Sequence, residues 1–186
     1  NTASGDDSTV GGGYSNTASG IQATVGGGGG NTADGDYATV SGGASNTADE
    51  NSATVGGGSG NTASGSRSTV GGGSGNTASE WYSTIGGGYV NTASEYYATV
   101  GGGSYNDAQA QYSTISGGGP SDPSNPTTTN NFVTDDYGTI GGGGGNQAGN
   151  DGGEVNDAPY ATVGGGSSNT ASGGVSTVGG GESNTA

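Results

Sequence analysis

The side chains of this chain that could take part in acid–base or metal chemistry are almost all carboxylates. The sequence has 16 Asp and Glu residues, one base, Arg67, and no His, Lys or Cys. General-base, thiolate and Schiff-base catalysis therefore lack their usual groups. A pair of carboxylates can cleave a glycosidic bond, but a thin molecule with its acids on turns offers no evident cleft. The composition thus predicts a protein that is not an enzyme.

These carboxylates belong to a tandem repeat of fifteen residues, first written as NTASGDDSTVGGGYS. We number its places 1 to 15. Place 1 is always Asn, place 3 is Ala except at Val133, place 9 is Thr, place 10 is Val or Ile, and places 12 and 13 are Gly. A short fixed period predicts a solenoid with one coil per copy. The copies begin at Asn1, Asn16, Asn31, Asn46, Asn61, Asn76, Asn91, Asn106, Asn131, Asn146, Asn169 and Asn184.

Each copy holds two similar phrases, NTASG and STVGG, in which alternate side chains suit an interior and an exterior. A period of two is typical of a β-strand. We therefore predict an all-β fold, a single parallel β-solenoid over residues 1–186 with two short strands in each coil. Asn, Ala, Ser and Val should point inward, Thr and Ser outward, and the Asn side chains should bond along the stack. At about 4.8 Å per coil, the rod would be roughly 57 Å long.

The alternative is a disordered chain. Leu is absent and hydrophobic residues make up only 25% of the sequence, a composition that flexible linkers share. A linker has no need for Val or Ile at one place of every copy and Asn at another, so the periodicity favours the solenoid.

Stacking in register would bring like charges together. Glu80 would lie about one coil spacing from Glu95, and Asp34 from Asp49, so these pairs repel unless screened or bridged. Two interpretations stay open: solvated charge that keeps the rod soluble, or a bridging Ca²⁺ ion. No other cofactor is expected. The ten acids at places 4 to 7 are Asp6, Asp7, Asp34, Asp36, Asp49, Glu50, Glu80, Glu95, Asp135 and Asp136.

From the sixth copy onward, aromatic residues occupy two neighbouring places. Trp81 and Tyr96 share place 6, while Tyr82, Tyr97 and Tyr112 share place 7. In register, these rings should form a ladder along one edge of the rod. The ladder either shields a corner or provides a surface for carbohydrate or a neighbouring filament.

The outward Thr at place 9 forms a second candidate surface, which we call the threonine column. Its hydroxyl groups could face ice or carry O-linked glycans, or Thr could be present only because it favours strands. The column comprises Thr9, Thr24, Thr39, Thr54, Thr69, Thr84, Thr99, Thr114, Thr139, Thr162 and Thr177.

Two insertions interrupt the repeat, one at residues 121–130 and one of eight residues within 150–158. Both fall where a turn is expected, so they should loop outside the stack. Thr127, Thr128 and Thr129 lie close to prolines in the first insertion, as in mucin-like segments, and are candidate O-glycan sites.

The formal net charge is −15. Such a chain should not bind nucleic acid or an anionic membrane surface, and it has no apolar run long enough for membrane insertion. The sequence starts and stops inside the repeat, which suggests a window of a longer array. We expect self-association end to end into a fibre at an extracellular or cell-surface location.

The phrase NTASGDDSTVGG resembles the head repeats of trimeric autotransporter adhesins, which read roughly NxAxGxxSxAxG. The resemblance covers almost the whole chain and implies a left-handed parallel β-roll that binds host matrix or cells. In those heads outward apolar residues seal a trimer. Here Thr2, Ser4, Thr9 and Gly11 stand at the outward places, so the roll carries over, and a single fibre and a trimer both stay open.

The half-copy is also similar to the NxVxG repeat of plant ice-recrystallisation inhibitors, a second β-roll family. Asn1 and Val10 match its inward residues, and the threonine column matches its outward rows. That resemblance implies ice binding as the alternative function. The neighbouring outward place is Gly or Ser, as at Gly11 and Ser41, so the double Thr rank of strong ice binders is absent.

Overall fold

The computed structural model describes residues 1–186 and contains 22 two-residue strands and no helix. It therefore has no helix that could cross a bilayer. In chain order the strands are β1 (Thr2–Ala3), β2 (Thr9–Val10), β3 (Thr17–Ala18), β4 (Thr24–Val25), β5 (Thr32–Ala33), β6 (Thr39–Val40), β7 (Thr47–Ala48), β8 (Thr54–Val55), β9 (Thr62–Ala63), β10 (Thr69–Val70), β11 (Thr77–Ala78), β12 (Thr84–Ile85), β13 (Thr92–Ala93), β14 (Thr99–Val100), β15 (Asp107–Ala108), β16 (Thr114–Ile115), β17 (Phe132–Val133), β18 (Thr139–Ile140), β19 (Gln147–Ala148), β20 (Thr162–Val163), β21 (Thr170–Ala171) and β22 (Thr177–Val178).

The strands form two parallel sheets of eleven strands, one from the odd-numbered strands and one from the even-numbered strands. Every strand pairs with the equivalent strand of the next coil. Thr39 of β6 pairs with Thr54 of β8, fifteen residues later. Across the insertions the partners change only in sequence distance, as where Thr114 pairs with Thr139. The predicted parallel β-solenoid is confirmed.

A third ladder, at place 14, was not predicted. It consists of single bridges such as Ser59 to Ser74 and Ser74 to Tyr89. In all coils but one a further bond helps to hold it: the N–H of Tyr105, for example, donates to the Tyr89 carbonyl at 2.9 Å. The equivalent donor to Ser104 would be Pro120, which has no N–H, and the ladder has no bridge there.

The core is a narrow column of small side chains between the two sheets. Twenty-five buried residues form one cluster, all of them Ala, Val or Ile. The inward places 3, 8 and 10 supply it, as Ala48, Ala53 and Val55 show in one coil, each with no exposed surface. The expected inward set is therefore confirmed, and the Thr beside it, such as Thr54, is half-buried at the outer face.

The corner after each even-numbered strand depends on glycine at place 13. Gly58 and Gly73 have φ of 90° and 89°, a region that favours glycine. A Cβ on Gly58 would lie 2.0 Å from the carbonyl oxygen of Gly73 and 2.8 Å from Nδ2 of Asn61. Coils therefore stack at this corner only without a side chain.

The two insertions lie outside the stack as ordered loops. The first follows Pro120, whose ring prevents the positive φ of 53° to 56° seen at the same place in Ser15, Ser45 and Tyr105. It closes on itself through the N–H of Ser121, which donates to the Thr129 carbonyl at 2.7 Å. The second is held by the buried carboxylate of Asp135, which accepts from the N–H groups of Asn150 at 2.9 Å and Ala158 at 3.2 Å.

Candidate functional site

The rings at place 7 form one continuous stack, which we call the tyrosine column: Tyr82, Tyr97, Tyr112, Tyr137 and Tyr160. Successive ring centroids are 4.7 to 4.9 Å apart and the ring planes differ by 1° to 11°. The in-register coils set this spacing. Tyr112 and Tyr137 stack at 4.9 Å although ten inserted residues separate their coils in sequence.

The backbone at place 7 explains why the rings project from the corner. The five tyrosines have φ between 57° and 63°, a left-handed conformation that is uncommon for residues with a side chain. Each N–H still bonds to the preceding coil, as the Tyr97 N–H does to the Trp81 carbonyl at 3.0 Å. The turn therefore repeats identically, and the rings line up.

Sequence reasoning found three members of the tyrosine column and missed Tyr137 and Tyr160. Counting six residues on from Asn131 places Tyr137 at place 7, so a signal was present. Tyr160 follows the second insertion, and its place becomes clear only by counting back from Asn169.

The place 6 rings do not extend the stack. Trp81 and Tyr96 lie 6.5 Å apart with their planes tilted by 51°. At the other end of the coil Tyr89 and Tyr105 meet edge to face at 5.4 Å. The predicted ladder therefore exists as one stacked column with a tilted pair beside it.

Stacking decides what the tyrosine column can contact. Parallel neighbours cover the faces of Tyr97, Tyr112 and Tyr137, so the column presents ring edges and hydroxyl groups to solvent. The Arg67 guanidinium packs over the outer face of Tyr82, with its central carbon 5.4 Å from the ring centroid. Arg67 also donates a hydrogen bond to the Tyr82 hydroxyl. A sugar packs against open ring faces, so this geometry favours corner shielding over a carbohydrate platform.

The stacked acids repel each other as expected. Burial raises the pKa of the Glu95 carboxyl, and the neighbouring charge of Glu80 raises that pKa further. Burial likewise raises the pKa of Asp49, with the charges of Asp34 and Glu50 adding to the rise. No group of three or more carboxylates converges on a point where a metal ion could bind, so the arrangement offers charge repulsion rather than a built cation site.

The threonine column is in register through all eleven even-numbered strands. Its interior members are half-buried, whereas Thr9 and Thr177 are exposed. The only intramolecular bonds of these hydroxyl groups are long ones to carbonyl oxygens at place 7, at 3.4 Å for Thr84 and Thr99 and 3.5 Å for Thr162. The hydroxyl row is therefore available to water, ice or a partner.

The three loop threonines have different surroundings. Thr127 and Thr128 are exposed, and the Thr128 hydroxyl makes only a 3.3 Å bond to the Asn125 carbonyl. The Thr129 hydroxyl is half-buried and bonds within the loop, to the Asn125 carbonyl at 2.8 Å and the Asp122 carbonyl at 3.0 Å. A glycan on Thr129 would disrupt the bonds that close the loop, whereas Thr127 and Thr128 have room for one.

The comparisons with known proteins assign none of these features. No protein-family model matches the chain, and no curated protein matches it.

Proposed function

We propose that this chain is a non-enzymatic structural rod, part of an extracellular fibre, stalk or adhesin. The observation that carries the proposal is the in-register pairing of both sheets through every coil and across both insertions. Because each coil of a solenoid contacts only its neighbours, length grows with copy number and needs no larger core. This property suits a spacer that sets a fixed distance.

The surface supports end-to-end rather than lateral association of such rods. The outward places of both sheets carry mainly Thr, Ser and Gly, which bury little apolar area against a second rod. The net charge of −15 also opposes side-by-side packing. A coil edge, in contrast, offers the same backbone donors and acceptors that already join coil to coil.

Electron microscopy of the protein in its native source tests this function. We expect thin fibres or stalks at the cell surface or outside the cell, with the chain labelled along them by a specific antibody. Labelling confined to the cell interior would contradict the rod proposal. Short closed heads of three chains would contradict end-to-end assembly and support the resemblance to trimeric adhesins.

A second candidate function is ice binding, and the in-register threonine column is the observation that favours it. An ice-recrystallisation assay tests this function with Thr39→Tyr, Thr54→Tyr and Thr69→Tyr combined. The matched control carries Thr32→Tyr, Thr47→Tyr and Thr62→Tyr, which stand in the same coils on the other sheet. Inhibition by the native chain that only the first variant loses would favour ice binding. No inhibition by the native chain would exclude it.

A further inference from the structure

The outer face of the odd-numbered sheet carries a groove between the two loops, which we call the loop groove. It consists of three adjoining cavities of about 170, 240 and 140 Å³. The first two share Gln109 and Asp151, and the last two share Asp107, Thr127 and Asn130. The cavities therefore form one elongated depression from the end of the sixth coil to the tenth. This finding corrects the expectation that the solenoid has no cleft.

The repeat itself changes where the groove lies. Place 2 changes at three consecutive coils to Asp107, Phe132 and Gln147, and the first two line the groove. Both insertions fall in the same part of the chain. Place 2 is Thr in the other coils, at Thr2, Thr17, Thr32, Thr47, Thr62, Thr77, Thr92, Thr170 and Thr185.

These departures are not needed for the fold. The strands pair in the same register whether place 2 holds Thr or another residue, as between Thr92 and Asp107 and between Asp107 and Phe132. A polar carboxylate and a large aromatic ring on adjacent strands bring no cross-strand bond that the Thr pairs lack. The sheet therefore does not require them, which leaves both side chains free for a contact in the groove.

Asp107 has one carboxylate oxygen that the protein leaves without a hydrogen-bond partner. Its Oδ2 accepts from Nε2 of Gln109 at 2.7 Å, whereas its Oδ1 is shielded from solvent and has no partner. Burial raises the pKa of this carboxyl, and the bond from Gln109 lowers it by a smaller amount. A buried acceptor without a partner is costly. A rotation of the Asp107 carboxyl that turns Oδ1 toward the groove would let a ligand hydroxyl satisfy it.

We propose that the loop groove binds a neutral, linear oligosaccharide. Sugar hydroxyls both donate and accept, which matches the carboxylates of Asp107 and Asp151 together with the amides of Gln109 and Asn130. The ring of Phe132 offers an apolar surface for the C–H face of a sugar. Each cavity is smaller than the roughly 300 Å³ of compact ligand pockets, so three in a row suit a chain of small units.

The charge of the groove selects among glycans. Four acids line it, Asp107, Asp135, Asp151 and Glu154, and no base does, so uronic or sulfated chains would be repelled. A bare cation is a weaker match, because the acids of the groove do not converge as metal ligands. The site goes beyond the proposed rod, which would stand even if the groove bound nothing.

An array of neutral and anionic linear oligosaccharides, built from glucose, mannose, galactose, xylose and N-acetylglucosamine, tests the proposal with the full chain. We expect binding to at least one neutral oligosaccharide and a preference over anionic ones. The double variant Asp107→Thr and Phe132→Thr restores the repeat residue at place 2. It should keep or raise the thermal midpoint, since it removes a buried acceptor without a partner, and it should weaken binding at least about tenfold, the loss expected for one bond to a charged acceptor.

Two further variants keep the test decisive. Asp107→Asn keeps the shape of the side chain and replaces an acceptor with a donor, so it should also weaken binding. Asp6→Asn removes the same charge from an exposed position in the first coil and should leave binding unchanged. The proposal is overturned if no neutral oligosaccharide binds, if anionic ones bind better, or if the double variant binds as the native chain does.

Discussion

The side-chain amide of Asn61 joins three coils. Its Nδ2 donates to the carbonyl oxygens of Gly57 and Gly73, each at 2.9 Å, and its Oδ1 accepts from the Asn76 N–H at 3.0 Å. The residue has no exposed surface. Asn is the one short, uncharged side chain that supplies two donors and a carbonyl acceptor together. This chemistry explains why place 1 is Asn in every copy.

Asn61→Ala should therefore destabilise the rod strongly. It leaves the buried Asn76 N–H and the half-buried Gly57 carbonyl without partners, at about 1–3 kcal/mol for the buried group and less for the other, so we expect a loss of roughly 3 kcal/mol in urea unfolding. The Asn76 amide should also exchange with deuterium faster. Asn51→Ala is the matched control, because Asn51 is exposed in the preceding coil, and it should change stability by less than about 0.5 kcal/mol. Equal losses in both variants would refute this account of place 1.

Place 8 offers the opposite case, a buried hydroxyl that the fold would be better without. Ser68 and Ser83 have no exposed surface, yet only Ser83 has a partner, the Glu80 carbonyl at 2.6 Å. Ala occupies the same place at Ala53 and Ala98. Ser68→Ala should therefore stabilise the chain by about 1 kcal/mol, measured by the urea midpoint. Ser83→Ala loses a bond and should be neutral or destabilising, and a similar gain in both would contradict the argument.

At the scale of the element, the tyrosine column joins five coils outside the core. Tyr112 stacks on both Tyr97 and Tyr137, while Tyr160 has one aromatic neighbour. A stacked pair contributes about 0.5–1.5 kcal/mol beyond its buried area. Tyr112→Ala should therefore cost about 1–3 kcal/mol and Tyr160→Ala about half as much, measured by thermal or urea unfolding.

Tyr37 provides the matched control for that series. It stands at place 7 with φ of 61° and is 54% exposed, but the residues at this place in the adjoining coils are Gln22 and Ser52. Tyr37→Ala should change stability by less than about 0.5 kcal/mol. A cost equal to that of Tyr112→Ala would show that the backbone conformation, rather than ring stacking, sets the effect.

At the scale of the whole molecule, the coil could be predicted from the sequence because its inward places require particular side chains. Asn at place 1 and Val or Ile at place 10 mark every coil. The third ladder, at place 14, could not be predicted, because Ser59 and Ser74 contribute only backbone atoms to it and any residue can do so. The positive φ at place 7 left no signal for the same reason, because Tyr, Ser, Arg and Val all occur there.

The candidate surfaces could be predicted from the sequence only in part. Equal spacing predicted the rings of Tyr82, Tyr97 and Tyr112 on one edge, but it could not show whether their faces or their edges would be exposed. The loop groove needed the positions of both insertions relative to the odd-numbered sheet, which no spacing reveals. The only sign of the groove in the sequence was that Asp107 and Phe132 replace Thr at place 2.

The burial of several carboxylates and the repulsion between stacked ones make the stability of the whole rod depend on pH. The pKa values of Asp49, Glu95 and Asp107 are raised in the folded chain, so the folded state binds more protons than the unfolded state just above the ordinary carboxyl range. Stability therefore falls as pH rises through those raised values. The lowered pKa of Asp122 acts in the opposite sense, but that carboxyl lies on the first loop and is solvent-screened.

We therefore expect a higher thermal midpoint at about pH 5 than at about pH 7.5 in low salt, since a carboxyl titrates near pH 4 when unperturbed. Adding salt at about pH 7.5 should recover only part of the difference, because salt screens the repulsion between charges but not the burial that contributes most to the raised pKa values. The double variant Asp49→Asn and Glu95→Gln should flatten the pH profile, and Asp6→Asn with Asp7→Asn, which removes two exposed charges from the first coil, should flatten it less. A midpoint that rises from about pH 5 to 7.5 would show that favourable carboxylate contacts outweigh the repulsion between stacked acids.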